Sequence, residues 1–99
     1  MPAADNRLLF APEAVEDLRA LRRRIAWLAG GRKSQDYMEQ IEAWCAEIAE
    51  APERGVRNDD LFPGLRVAGY GRRLAIAYHI GLDTVTIDRV LYAGGDERG

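Results

Sequence analysis

Six side chains between residues 66 and 92 are of types that can carry chemistry: Arg66, Arg72, Arg73, His79, Arg89 and Tyr92. Side chains of these types can hold an anion or move a proton, so metal-free cleavage of a phosphodiester is one chemistry to weigh against simple binding. That reaction needs one group to activate a hydroxyl, a second to protonate the leaving oxygen, and cations to hold the charged transition state. Arginine can stabilise the charge, but its high pKa makes it a poor proton acceptor. His79 is the only side chain whose ordinary pKa lies near neutrality. No second proton carrier accompanies it, so no catalytic residue is assigned. A binding surface is the better use of these groups, because strand arginines facing a groove suit the carboxylates of a partner. Plainer roles exist for each. Arg66 and Arg89 can pair with Asp88 or a glutamate, His79 can be a satisfied sheet histidine, and Tyr70 and Tyr92 can be core aromatics with their hydroxyls at the edge.

The bulk properties narrow the choice. A chain of 99 residues supports one domain, here residues 1–99, with a single modest core. The formal net charge of −2 offers no global basic field, so direct nucleic-acid binding is not expected. Cys45 is the only cysteine, which excludes an internal disulfide and a multi-cysteine metal site. It falls in a helical apolar pattern and reads as a buried structural thiol. No metal or cofactor is implied. Residues 1–6 lack the basic head and apolar run of a signal peptide, and no apolar stretch approaches the ~20 residues that span a membrane. A cytoplasmic location follows as an expectation.

The elements that must position these residues can be read from periodicity. Residues 7–10 form a short apolar strand stopped by Pro12, which suits the first turn of a helix. Val15, Leu18, Leu21, Ile25 and Leu28 then recur at helical spacing until Gly30–Gly31. Arg22, Arg23 and Arg24 read as a solvated face of this helix. Trp27 lies off its apolar stripe and is a candidate contact for a partner. A second helix is expected to open near Ser34 as N-cap, with a stripe of Tyr37, Met38, Ile41, Trp44, Cys45 and Ile48, and to stop at Ala51–Pro52. Trp44 should be core. Residues 53–63 look polar and irregular. Three strand-like runs follow at 65–68, 74–80 and 84–92, with gaps short enough for antiparallel hairpins.

The expected fold is therefore α+β: an N-terminal strand, a two-helix antiparallel hairpin, then a three-stranded antiparallel sheet. In the middle strand Leu74, Ile76, Tyr78 and Ile80 share one face. Ala75, Ala77 and His79 share the other, which suggests a shallow groove. Arg66, Arg72, Arg73, Arg89 and Tyr92 are expected to line or rim it.

This order, with these residues, resembles the RelE/ParE superfamily of small bacterial toxins. The matching stretches are Ala14-Val15-Glu16-Asp17-Leu18, Ile48-Ala49-Glu50-Ala51-Pro52, Pro63-Gly64-Leu65-Arg66-Val67, Ala75-Ile76-Ala77-Tyr78, and Asp88-Arg89-Val90-Leu91-Tyr92 followed by Gly95-Asp96. ParE members commonly place a histidine where Tyr92 stands. The resemblance implies a toxin of a type II toxin–antitoxin pair, held inactive in a hetero-oligomer by a cognate ParD-like antitoxin that wraps the hairpin and sheet. ParE members poison DNA gyrase; RelE members cut mRNA on the ribosome. The nuclease members carry late acid/base residues in the C-terminal segment. Here residues 93–99 hold two acids and no histidine, lysine or tyrosine. With one lysine and a net acidic chain, the ParE-type reading is preferred. An mRNA interferase is the alternative, and a non-toxic homologue that only binds a partner is the third.

Overall fold

The computed structural model describes residues 6–93. In chain order it contains β1 (Arg7–Phe10), α1 (Pro12–Ala29), α2 (Gly31–Glu50), a 3-10 turn (Pro52–Arg54), β2 (Val56–Arg57), β3 (Arg66–Tyr70), β4 (Leu74–Ile80) and β5 (Thr84–Tyr92). The α+β order is the one that the sequence dictates, and the two helices cover one face of the sheet. No helix among the described residues is long and apolar enough to cross a membrane.

The sheet is larger than the periodicity suggests. Its five strands run in the order β1-β5-β4-β3-β2. β1 joins as a parallel partner of β5 across Thr84 to Ile87. β2 adds two residues antiparallel to β3 at the opposite edge. It lies within the segment that looks irregular in sequence, because two residues are too few to show alternation.

The helix boundary also differs. Gly30 sits at φ 98°, a left-handed position that glycine alone takes without strain, and α2 begins at once with Gly31. Ser34 is therefore inside α2 and not its N-cap. It is 2% exposed and donates its hydroxyl proton to the Arg22 carbonyl across the hairpin at 2.7 Å. A tertiary bond thus claims the hydroxyl that local rules assign to capping.

The core lies between the helices and the sheet. Ala14 and Leu21 of α1 meet Ile41, Cys45 and Ile48 of α2, above Leu74, Ile76 and Tyr78 of β4 and Val85, Ile87 and Val90 of β5. Each large aliphatic side chain buried here contributes roughly 1.5–3 kcal/mol. Two expected core positions fall outside. Leu28, in the last turn of α1, is 63% exposed, and Ile80, at the end of β4, is 37% exposed. Trp44 is only half-buried. It stacks on Tyr70 with ring centroids 5.6 Å apart, and Arg54 lies 5.1 Å from its ring.

A β-bulge keeps the β5 pattern in phase with the core. Tyr78 pairs with Ile87 and Ala77 with Arg89, so Asp88 is the extra residue on β5. Strict alternation after Ile87 would turn Val90 outward. The extra residue returns it to the helix side, where it is buried.

Cys45 is fully buried, and burial followed by the nearby Glu42 charge pushes its thiol pKa up to about 12. A thiol so protonated is not a nucleophile at neutral pH. A disulfide reagent at pH 8 should therefore titrate no thiol in the folded protein and one per chain in denaturant. Rapid labelling of the native protein would contradict this packing.

Candidate functional site

The residues singled out in the sequence do not converge on one groove. Directly opposed strand residues share a face, and this sorts them. Arg66 opposes Tyr78 and Tyr70 opposes Leu74, and Tyr92 also opposes Leu74. All three therefore point to the helix side. Among the eight, only His79 and Arg89 belong to the outer side of the sheet, where His79 opposes Thr86 and Arg89 opposes Ala77. Arg72 and Arg73 are exposed in the β3–β4 turn, which Gly71 closes at φ 65°. Trp27 stands at the far end of the hairpin, 87% exposed.

The arginines of the strands are tied to the framework. Arg66 donates to the Gly55 carbonyl at 2.9 Å, closing the turn after α2. Arg89 makes a bidentate pair with Asp17 of α1 at 2.8 and 2.9 Å. The same carboxylate accepts the Val90 backbone N–H at 2.8 Å. These bonds answer a specific need. β1 ends opposite Ile87, so the rest of β5 is an open sheet edge, and Asp17 caps one of its donors. His79 is bound through Nδ1 to Asp88 at 2.8 Å. Its ring thus faces a carboxylate, and the two strand arginines serve elsewhere.

Asp17 makes stability depend on acid. The Arg89 hydrogen bond, and then the Val90 N–H, hold its carboxyl below the usual 3.8 in spite of partial burial. A depressed carboxyl stabilises the fold fully above its unfolded pKa and loses that contribution as the pH falls through the folded value. Asp17→Asn should cost about 2 kcal/mol at pH 7. Its stability gap to the parent protein should narrow as the pH falls below 3.8. Urea unfolding at both ends of that range checks the sign, and a gap that widens in acid would be inconsistent with the pairing.

Two open grooves flank the C-terminal half of α1 and meet at Tyr92. The first, about 470 Å³, is lined by Ile25 and Ala29 of α1, Lys33, Asp36, Tyr37 and Gln40 of α2, and Tyr92. The second, about 310 Å³, runs between α1 and the open edge of β5, with Ala20, Leu21, Val90, Leu91 and Tyr92 as its apolar floor and Asp17 and Arg24 beside it. Each carries one cation and one acid around an apolar bed. Tyr92 stands edge-on to Tyr37 with centroids 6.3 Å apart. Burial, and then the neighbouring tyrosines, raise the Tyr37 phenol pKa, so the phenol remains a neutral donor. In the alternation of the ladder, the N–H of Tyr92 points to the same open edge as that of Val90. The arrangement suits a peptide with apolar anchors at regular spacing, or an extended strand, better than a reacting small molecule.

Sequence reading finds Tyr92 but not the grooves. Tyr37 lies in a stripe assigned to the core, and Ile25 likewise. Their partial exposure arises only where the hairpin passes over the end of β5. The C-terminal residues 94–99, whose composition weighs against a nuclease, lie outside the described residues.

Residues 8–96 match the family described as the ParE toxin of the type II toxin–antitoxin system parDE. No curated protein matches the sequence. Solved structures share the fold, among them the following two. A chain of the chromosomal ParDE toxin–antitoxin system from P. aeruginosa superposes with a TM-score of 0.79 at 17% identity, covering 93% of this chain and 100% of that one. A chain of the toxin–antitoxin complex RelBE2 from Mycobacterium tuberculosis superposes with a TM-score of 0.66 at 21% identity, covering 92% and 94%.

Proposed function

The chain belongs to the ParE toxin family of type II toxin–antitoxin systems, and on that premise we propose that it arrests growth by docking on an essential replication enzyme, DNA gyrase. The toxin acts in the cytoplasm, and a cognate ParD-like antitoxin silences it by filling the two grooves that meet at Tyr92. The observation that carries the reading is how the candidate catalytic groups are used. His79 is paired with Asp88, Arg89 with Asp17, and Arg66 with a backbone carbonyl. A metal-free nuclease needs a proton-transfer group and cations around one scissile phosphate. The outer face instead sets a carboxylate against its histidine.

The grooves supply what an antitoxin segment needs. An amphipathic helix can seat apolar residues against Ile25, Ala29 and Tyr37, and an extended stretch can follow the free edge of β5 past Val90 and Tyr92. The resulting particle is a toxin–antitoxin hetero-oligomer.

Inducing the toxin alone in a bacterial host tests the reading. DNA synthesis should stop first, with full-length messages persisting, and co-expression of the antitoxin should restore growth. Prompt loss of messages with continuing DNA synthesis would favour an mRNA interferase. Unimpaired growth would leave only a partner-binding homologue.

A further inference from the structure

The net charge conceals a marked segregation. Six of the fourteen cations lie between Leu18 and Gln35, and none of the sixteen acids does. The fold gathers this segment at one end of the molecule, because α1 and α2 meet head to tail at Gly30. Arg19 is paired with Glu16 one turn back. Arg22 makes only a long contact of 3.5 Å with the neutral Gln35. Arg23, Arg24, Arg32 and Lys33 make no ion pair among the described residues, and all are exposed. At physiological salt, fields are screened over about 8 Å, so the local cluster governs this end rather than the total charge.

Trp27 stands in the middle of the cluster, 87% exposed. Arg23 and Arg24 are four and three residues before it, hence beside it on the helix surface. A large aromatic exposed to water one helical turn after two arginines serves no packing purpose. The patch has little apolar area beyond Trp27 and Leu28, whereas the buried centre of a protein–protein interface is depleted of charge. A high density of cations around a stacking platform is the composition of a single-stranded nucleic-acid site, where cations track phosphates and bases stack on the ring.

We propose that the tip of the helical hairpin, centred on Arg22, Arg23, Trp27 and Arg32, binds single-stranded nucleic acid through phosphate contacts and base stacking. Arg24 and Lys33 at its border also line the grooves that meet at Tyr92, whereas the four central residues line neither. Binding at the tip requires no bond to be broken, and it does not depend on which protein the toxin inhibits. Because the remainder of the chain is acidic, the strand is held only at this end, so the affinity should be modest and nonspecific.

Fluorescence anisotropy with a labelled single strand of about 12 nucleotides, titrated with the full chain, tests the assignment. The expected dissociation constant is roughly 1–100 μM, weakening roughly 100-fold between about 50 and about 200 mM salt. The triple variant R22Q/R23Q/R32Q should lower the slope of log affinity against log salt by about 2. Trp27→Ala should weaken binding roughly ten-fold, and Trp27→Phe should retain most of it. These positions are exposed, so circular dichroism and thermal melting should not change. Absence of binding at about 100 μM protein and low salt would overturn the proposal, as would binding that the variants leave intact. Poly-glutamate should compete poorly. Competition equal to that of the oligonucleotide would reassign the tip to an acidic protein surface and overturn it equally.

Discussion

Gly55→Ala should destabilise the protein by about 3 kcal/mol or more, a large share of the total for a domain of this size. Tyr78 is the largest fully buried side chain. Its hydroxyl donates to the Pro52 carbonyl at 2.7 Å and accepts the Gly55 N–H at 3.0 Å. This latch ties the turn after α2 to the middle of the sheet. A Cβ on residue 55 would collide with the Tyr78 hydroxyl and stand only 3.0 and 3.1 Å from two ring carbons. The ring cannot retreat, because it is enclosed by core. The substitution therefore combines overpacking with the loss of two buried hydrogen bonds. The melting temperature should fall by roughly 15 °C. Tyr78→Phe alone should also destabilise, by orphaning the Gly55 N–H and the Pro52 carbonyl. The double variant should be less unstable than the two losses added together, since removing the hydroxyl makes room for the new methyl. Strict additivity in denaturant titrations would show that the latch is not the cause.

Tyr92→Ser should let the toxin escape its antitoxin. Tyr92 is shared by both grooves and rests on Tyr37. Central aromatic anchors of this kind carry up to several kcal/mol of binding energy, so affinity for the antitoxin should drop roughly 100-fold. Growth should then arrest even with the antitoxin co-expressed at a level that protects against the parent toxin. Titration calorimetry supplies the direct reading. The ring is only partly buried at the end of β5, so the fold should survive, and a melting curve checks this independently. Unchanged affinity in a folded variant would move the antitoxin away from these grooves.

The two helices and the last three strands are legible in the sequence because their apolar spacing is long enough to show a period. The α+β order and its family resemblance follow from that. What escapes the reading is set by contacts between distant segments. Ser34 has the chemistry of an N-cap, yet the carbonyl of Arg22 on the neighbouring helix claims it. Arg89 and Asp17 are 72 residues apart, so no local spacing predicts their pairing. The natural guess, that Arg89 pairs with the adjacent Asp88, fails because the bulge places Asp88 beside His79. One signal was available. Val85, Ile87 and Val90 break the two-residue step by one, and that break is the bulge. The grooves follow from how α1, α2 and the end of β5 assemble, and no run of residues announces them.

A supercoiling assay with purified gyrase, set beside a translation reaction charged with intact message, addresses the mode of action most directly. Adding the purified toxin should block the introduction of supercoils and leave the message at full length on translating ribosomes, and the block should vanish when the antitoxin is supplied first. Undisturbed supercoiling together with transcripts cut at the ribosome would contradict the account.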